Sequence, residues 1–374
     1  MRSTLPAWPL AALAWGVSCG AVPPESPAAA AGDAAADFAR AVGPRSFGFP
    51  QDHGPHPQFR HEWWYFTGNL DGAGGERFGF ELTFFRYALA PPSDAEPPGA
   101  SAWRTREIYL AHFAITDVAA HRFRFAEKVS RAALGLAGAR TTPLEVWIDD
   151  WKLADAGAAA PAGGVWKLEA AQPGYALELE LHPTAAPVLN GESGLSRKSS
   201  RSASYYYSMP RVAVRGRLTR GGEPLAVRGL AWFDREWGSG DLAASQAGWD
   251  WFALQLDDGT TLMFYALRAR DGSRDPHSAG TWVERSGAAR PVADADVAIA
   301  VLDHWTSDDG ARYPAGWRIR VASLGLDVTV HPVLADQELR TRPRYWEGAV
   351  DVSGAREGRP VGGRGYVELV GYAR

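Results

Sequence analysis

The sequence predicts an all-β protein made of two related halves, and three observations predict it. First, 16 Trp, 15 Phe and 12 Tyr are spread over 374 residues that also hold 41 Gly and 26 Pro. Aromatic runs broken by Gly and Pro are the composition of short strands and turns. Second, side chains alternate with period two in residues 78–84, 177–181 and 212–218, which turns one face of each strand toward a core. Third, Trp63-Trp64-Tyr65-Phe66-Thr67-Gly68-Asn69-Leu70-Asp71 lines up with Trp249-Asp250-Trp251-Phe252-Ala253-Leu254-Gln255-Leu256-Asp257. Each is followed by a Gly turn and a second strand, ending in Arg86 and Arg268 respectively.

The elements follow in order. Residues 1–20 read as an export signal, with Arg2 before an apolar stretch. Gly16-Val17-Ser18-Cys19 is similar to a lipoprotein processing site, which would make Cys19 the lipid-bearing residue. Simple secretion and an uncleaved tail are the alternatives. Residues 21–45 are rich in Ala and Pro and read as a tether outside the fold. The first hairpin turns at Asp71-Gly72, and Asp258-Gly259, Asp271-Gly272 and Asp309-Gly310 mark later turns, since Asp-Gly supplies the positive φ that hairpins need. Residues 91–99 (Pro-rich) and 190–204 (Ser-, Gly- and Arg-rich) read as loops that could cover a barrel mouth. Residues 131–139 read as a short helix or a loop. The halves divide between about 205 and 230, giving an N-terminal domain over 46–215 and a C-terminal domain over 216–374.

Composition narrows the function. The net charge of −4, from 39 basic and 43 acidic residues, lacks the basic excess of a nucleic-acid binder. One cysteine excludes a disulfide framework and a cysteine-rich zinc site. There is no G-x-S-x-G elbow, H-E-x-x-H helix, P-loop or dinucleotide fingerprint. The nine histidines lack metal-ligand spacing, and His53 and His56 read as structural or solvated.

Carboxylates within aromatic strands carry the candidate chemistry. Asp250 shares a strand face with Phe252, Leu254 and Leu256. Glu62 shares one with Trp64, Phe66 and Leu70. Asp234 and Glu236 share one with Leu230 and Trp232, while Arg235 points the other way. An apolar setting raises a carboxyl pKa, and a neutral acid at pH 7 can donate a proton to a substrate. The competing reading is a buried ion pair across neighbouring strands, for which Arg86 and Arg268 are available. The Trp and Tyr runs fit either a core or a pocket, and of Tyr205-Tyr206-Tyr207 only alternate residues can face one cavity.

These same motifs carry a family resemblance. His61-Glu62-Trp63-Trp64-Tyr65, Trp147-Ile148-Asp149-Asp150-Trp151, Ser204-Tyr205-Tyr206-Tyr207-Ser208, Trp232-Phe233-Asp234-Arg235-Glu236-Trp237-Gly238, Gly248-Trp249-Asp250-Trp251-Phe252, Tyr345-Trp346-Glu347-Gly348 and the terminal Gly365-Tyr366-Val367-Glu368-Leu369-Val370-Gly371-Tyr372 resemble the AttH-like, or hydroxyneurosporene synthase, family over nearly all of residues 46–374. The resemblance implies two tandem lipocalin-like β-barrel domains packed together. The family's activities include cofactor-free carotenoid 1,2-hydration, hydration of a plant defence compound and fungal pericyclic chemistry; many exported bacterial members are named as secreted hydrolases. By this resemblance Asp250 or Asp234 would be the acid, Trp237, Trp249 and Trp251 would line the pocket, and Tyr265 would orient a water or carboxyl group. The hydratase members tend to carry His in the stretch where this chain has Arg235.

The reading that follows is an exported, lipid-anchored protein of the periplasm or cell envelope that acts on a small hydrophobic, isoprenoid- or lipid-like molecule. It would work as a cofactor-free hydratase or hydrolase, with no metal and no nucleic-acid partner. Candidate catalytic residues are Asp250, Asp234, Glu236 and Tyr265. Candidate ligand-binding residues are His61, Glu62, Trp63, Trp64, Tyr206, Trp237, Trp249 and Trp251. The alternative is a non-catalytic carrier that passes a hydrophobic ligand to a membrane transport complex. A weaker one is a structural envelope protein whose aromatic residues only fill two cores.

Overall fold

A computed structural model describes residues 38–92, 101–157 and 164–373. The export signal, Cys19, most of the tether and most of the 91–99 loop lie outside the described residues. The described chain is nearly all strand, so the all-β expectation is met. Its strands form two antiparallel sheets. The first contains β1 (His61–Gly72), β2 (Arg77–Ala88), β3 (Glu107–Asp117), β4 (Arg122–Arg131), β5 (Ala137–Thr141), β6 (Leu144–Ile148), β7 (Trp151–Asp155), β8 (Trp166–Gln172), β9 (Tyr175–Pro183), β10 (Val188–Leu189), β11 (Leu195–Arg197), β12 (Ala203–Arg220) and β13 (Glu223–Gly238). The second contains β14 (Gln246–Leu256), β15 (Thr261–Ala269), β16 (Ala279–Val283), β17 (Ala289–Ala293), β18 (Val297–Thr306), β19 (Arg312–Val321), β20 (Leu326–Pro332), β21 (Glu338–Leu339), β22 (Tyr345–Arg356) and β23 (Arg359–Val370).

The two sheets repeat one plan. β1 lies between its hairpin partner β2 and the last strand of its sheet, β13; β14 lies between β15 and β23 in the same way. The internal echo thus falls on equivalent hairpins. Each sheet curls into a lipocalin-like near-barrel around its own core. In the first, β3 packs across on β6 and β8. Its inner face carries Trp64, Phe66, Leu70, Phe80, Leu82, Trp166 and Phe233, while the second encloses Phe252, Leu254, Leu262, Trp317, Trp346 and Val367.

Three details differ from the sequence reading. The chain changes sheet at 239–245, not at 215/216. That earlier point falls inside β12, because β12 and β13 form one long hairpin turned by Gly221 and Gly222, both at positive φ. Residues 38–45, expected as tether, lie on the first barrel: Phe38 and Ala41 are buried, and Ala39 exchanges hydrogen bonds with Gln58 and Ser239. Residues 131–139 form the end of β4, a turn and the start of β5, with no helix.

The barrels pack face to face through β1 and β2 against β22 and β23, and through β12 against β14. Gly79 permits the approach, since a Cβ there would stand 2.6 Å from the Ala349 methyl and 2.9 Å from the Tyr366 hydroxyl. Arg77–Asp351 and Arg364–Asp71 ion pairs fasten the rim.

Candidate functional site

Because each strand near the seam has a barrel core on one side, its other side faces the second barrel. Period two therefore sorts every seam residue. On β1, Glu62, Trp64 and Phe66 point into the first barrel, while His61, Trp63 and Tyr65 point out. Those outward side chains, with Phe85 of β2, Tyr206 of β12, Asp234 and Glu236 of β13, Trp249 and Trp251 of β14, Tyr265 and Leu267 of β15, Tyr345 of β22 and Glu368 and Val370 of β23, wall a mostly apolar cavity of about 310 Å³ between the barrels. This is the low end of the range for small-molecule sites. Lys198, Ser202 and Ser204, from the 190–204 segment and the start of β12, close one side of it.

Asp234 is the most constrained acid in the wall. Its carboxyl accepts hydrogen bonds from Tyr206 Oη at 2.6 Å, Ser208 Oγ at 2.5 Å and Trp232 Nε1 at 2.6 Å. Trp251 Nε1 donates in turn to Tyr206 Oη at 3.2 Å. Burial pushes the Asp234 carboxyl up to about 7, with the three donors pulling the other way and Glu236 adding repulsion. Glu368 on the facing wall is raised to about 8, again mainly by burial; Trp249 hydrogen-bonds to it, and Glu81 and Asp234 repel its charge. Two carboxyl groups in one cavity thus change protonation near neutral pH, and the charge of Asp234 is one of those that raise Glu368. Glu236 accepts from Ser204 and pairs with Lys198 at 3.3 Å. Tyr265 Oη and Ser196 Oγ lie 3.0 Å apart. Burial lowers His61 to about 4, so its ring is neutral at pH 7.

Behind this wall lies a second acidic layer. Tyr65 donates to Glu347 at 2.7 Å, and Tyr345 contacts Glu81 at 3.4 Å and His112 Nδ1 at 2.6 Å. Burial raises Glu81 to about 7 and Glu347 well above the carboxylate range, the latter also through the charges of Glu368 and Glu81.

The sequence candidates divide by strand face. The cavity brings together Asp234, Glu236, Tyr265, His61, Trp63, Tyr206, Trp249 and Trp251. Asp250, Glu62, Trp64 and Trp237 are not among its walls. Asp250 points into the second barrel, where Arg268 Nε binds it at 2.9 Å and Tyr372 Oη donates at 3.0 Å to both oxygens; burial raises its pKa against the pull of Arg268. Glu62 sits inside the first barrel between Arg86 and Arg235, and its backbone donor is His56 N at 3.1 and 3.0 Å. Burial would raise the Glu62 carboxyl, but the charges of Arg235 and Arg86 and the hydrogen bond from His56 together outweigh it and hold Glu62 far below the usual range. Trp64 lies under the Arg235 guanidinium at 3.9 Å, and Trp237 stacks on His56 at 3.8 Å. Arg86 and Arg268, at matching places in the two hairpins, each hold an inward-facing carboxylate. Among the described residues no cluster of His, Cys, Asp and Glu has the arrangement of a metal site.

Sequence reasoning did not single out Glu368, Lys198, Glu347 or Glu81. The first lay in a quoted motif, Tyr366-Val367-Glu368-Leu369-Val370, whose alternation puts Glu368 on the face opposite the core residues Val367 and Leu369. That was the available signal.

Two lipocalin-like near-barrels with a cavity at their seam define a narrow class of proteins. The chain belongs to the AttH-like family, whose model matches residues 40–372. It is 36% identical to an AttH protein of known structure from Nitrosomonas europaea, with a TM-score of 0.78, over 90% of this chain and 100% of that one. Kievitone hydratase from Nectria haematococca shares the fold at 16% identity, with a TM-score of 0.66, over 88% of this chain and 94% of that one. Dehydratase asqC of Emericella nidulans is 25% identical over 219 residues, 54% of this chain. The match spans 60% of that relative's length.

Proposed function

We propose that this protein is a hydro-lyase that adds water to, or removes it from, a carbon–carbon bond of a small, largely apolar molecule held between the barrels. The observation that carries the reading is the facing pair Asp234 and Glu368, raised to about 7 and about 8 within one aromatic cavity. Water addition and its reverse each need one group that exchanges a proton with carbon and one that exchanges a proton with oxygen. Around neutral pH this pair holds one proton between two sites, so both roles are filled together. Similarity to a protein named as a dehydratase, and a fold shared with one named as a hydratase, support the same reaction class.

The test is incubation with a panel of apolar alkenes and alcohols in isotopically labelled water, read by mass spectrometry for gain or loss of one water. Asp234→Asn should abolish the exchange while ligand-induced quenching of tryptophan fluorescence stays within about threefold. Quenching without water exchange in the wild type would instead mark a carrier. The Gly16–Cys19 motif supports an exported, lipid-anchored placement in the cell envelope. Palmitate labelling that persists in Cys19→Ser would overturn that placement.

A further inference from the structure

Among the described residues that wall the cavity, Lys198 alone carries a positive charge. Its ammonium lies 4.1 Å from the Tyr265 ring centre and 5.3 Å from that of Tyr206, with Glu236 at 3.3 Å. An ammonium has three N–H donors, and Glu236 engages it from one side. The residue is also held in place. Its backbone N–H donates to Ser202 O at 2.8 Å, and its carbonyl accepts from Gln246 Nε2 at 2.7 Å. Burial opposes the charge, but Glu236 and Tyr265 more than compensate and keep the ammonium above its ordinary pKa.

A fixed cation beside the reacting carbons decides which charge the reaction can develop there. Protonating an isolated alkene makes a carbocation, which Lys198 would repel. Withdrawing a proton next to a carbonyl, or adding water to a conjugated double bond, sends electron density to the carbonyl oxygen, which a preorganised ammonium stabilises. A carboxylate ligand fits less well, since Glu236, Asp234 and Glu368 share the same small space while a neutral carbonyl needs only a donor. Glu236, which holds Lys198, and Asp234 are two residues apart on one face of β13, so the ammonium and the Asp234 carboxyl line the same cavity.

We propose that Lys198 binds the carbonyl oxygen of the substrate, so that the molecules interconverted here are an enone and its β-hydroxy-carbonyl hydrate. This rests on the hydro-lyase reading above. In the dehydration direction the Asp234 carboxylate takes the α-proton and the C–H electrons form an enolate whose oxygen Lys198 holds. The enolate collapses to the C=C and C=O bonds, the β-C–O bond breaks, and the departing oxygen takes the proton of Glu368 and leaves as water. Hydration is the reverse, and in either direction one proton passes between Asp234 and Glu368 with none left over.

The test uses benzylideneacetone, its β-hydroxy ketone, and β-methylstyrene as the carbonyl-free control, with the wild type and Lys198→Met. Quenching of tryptophan fluorescence should show tenfold or greater loss of ketone affinity in the variant, with β-methylstyrene affinity unchanged. Turnover of the ketone pair should fall by about 10²–10³. Because Lys198→Met leaves Glu236 unpaired, Lys198→Met with Glu236→Gln is measured beside it, folding being checked by thermal unfolding, and should show the same loss of ketone preference. Ketone binding that ignores the substitution, or no ketone binding to the wild type, overturns the proposal. Hydration of β-methylstyrene untouched by the substitution overturns it and leaves the hydro-lyase reading standing. Lys198-dependent ketone binding with no water exchange supports the contact and overturns the hydro-lyase reading.

Discussion

Under the proposed reaction Asp234 and Glu368 set the pH behaviour of the site. Dehydration as proposed needs the first ionised and the second protonated, so kcat/KM should rise through about pH 7 and fall through about pH 8. A profile that is flat from pH 6 to 9 would remove both groups from the chemistry. The same shifts act on stability with a definite sign. Each group binds its proton more tightly folded than unfolded, so the native state loses stability as pH climbs from about 4 toward 8. Glu368→Gln should therefore raise Tm by at least about 3 °C at pH 8 and leave it nearly unchanged at pH 4, a gain in stability coupled to a loss of turnover. Asp250 is raised by burial in the same direction, so Asp250→Asn should not lower Tm at pH 8, and because Asp250 lies outside the cavity turnover should stay within about twofold.

At the scale of single strands, the alternation of inward and outward residues was legible in the sequence. Glu62 was grouped with Trp64 and Phe66, Asp234 with Trp232, and Arg235 against both its neighbours, and the structure keeps each grouping. What alternation could not tell is what lies beyond the second face. Glu81 and Thr83 alternate with the core residues Phe80, Leu82 and Phe84 and so lie on that second face. They are buried because another barrel covers them. The apolar face of Asp250, conversely, is a barrel interior already supplied with Arg268 across the hairpin. Within the first barrel the group Glu62, Arg86 and Arg235 predicts its own outcome. Glu62→Gln leaves two buried guanidiniums short of a partner and should cost about 3–5 kcal/mol at pH 7. Glu62 is depressed in the folded state, so this contribution is complete above its unfolded pKa, about 4.3, and the gap between variant and wild type should close as pH falls below that. A gap of equal size at pH 3 would show that packing, not charge, sets the cost.

On the scale of the whole molecule, the site exists only where two barrels meet. One short echo supports duplication, but no local pattern specifies how two halves dock, and the domain break falls beyond the expected 215/216 because β12 and β13 form one long hairpin. Docking depends on a point of contact as small as Gly79. Gly79→Leu should push Ala349 and Tyr366 away, leave far-ultraviolet circular dichroism unchanged, and weaken ligand binding by at least tenfold; unchanged binding would show that the seam tolerates separation. The face-to-face packing has a further consequence for how such a chain changes over time. Odd-numbered positions of β1 and β14 and even-numbered positions of β13 and β23 line the cavity, while their immediate neighbours fill the two barrel cores. Folding and chemistry are thereby written in alternate letters of the same strands. A lineage can rewrite one set almost freely while the other stays fixed, so substrate range is able to drift across an unchanging scaffold, and a library confined to the outward letters would be the economical way to redirect it.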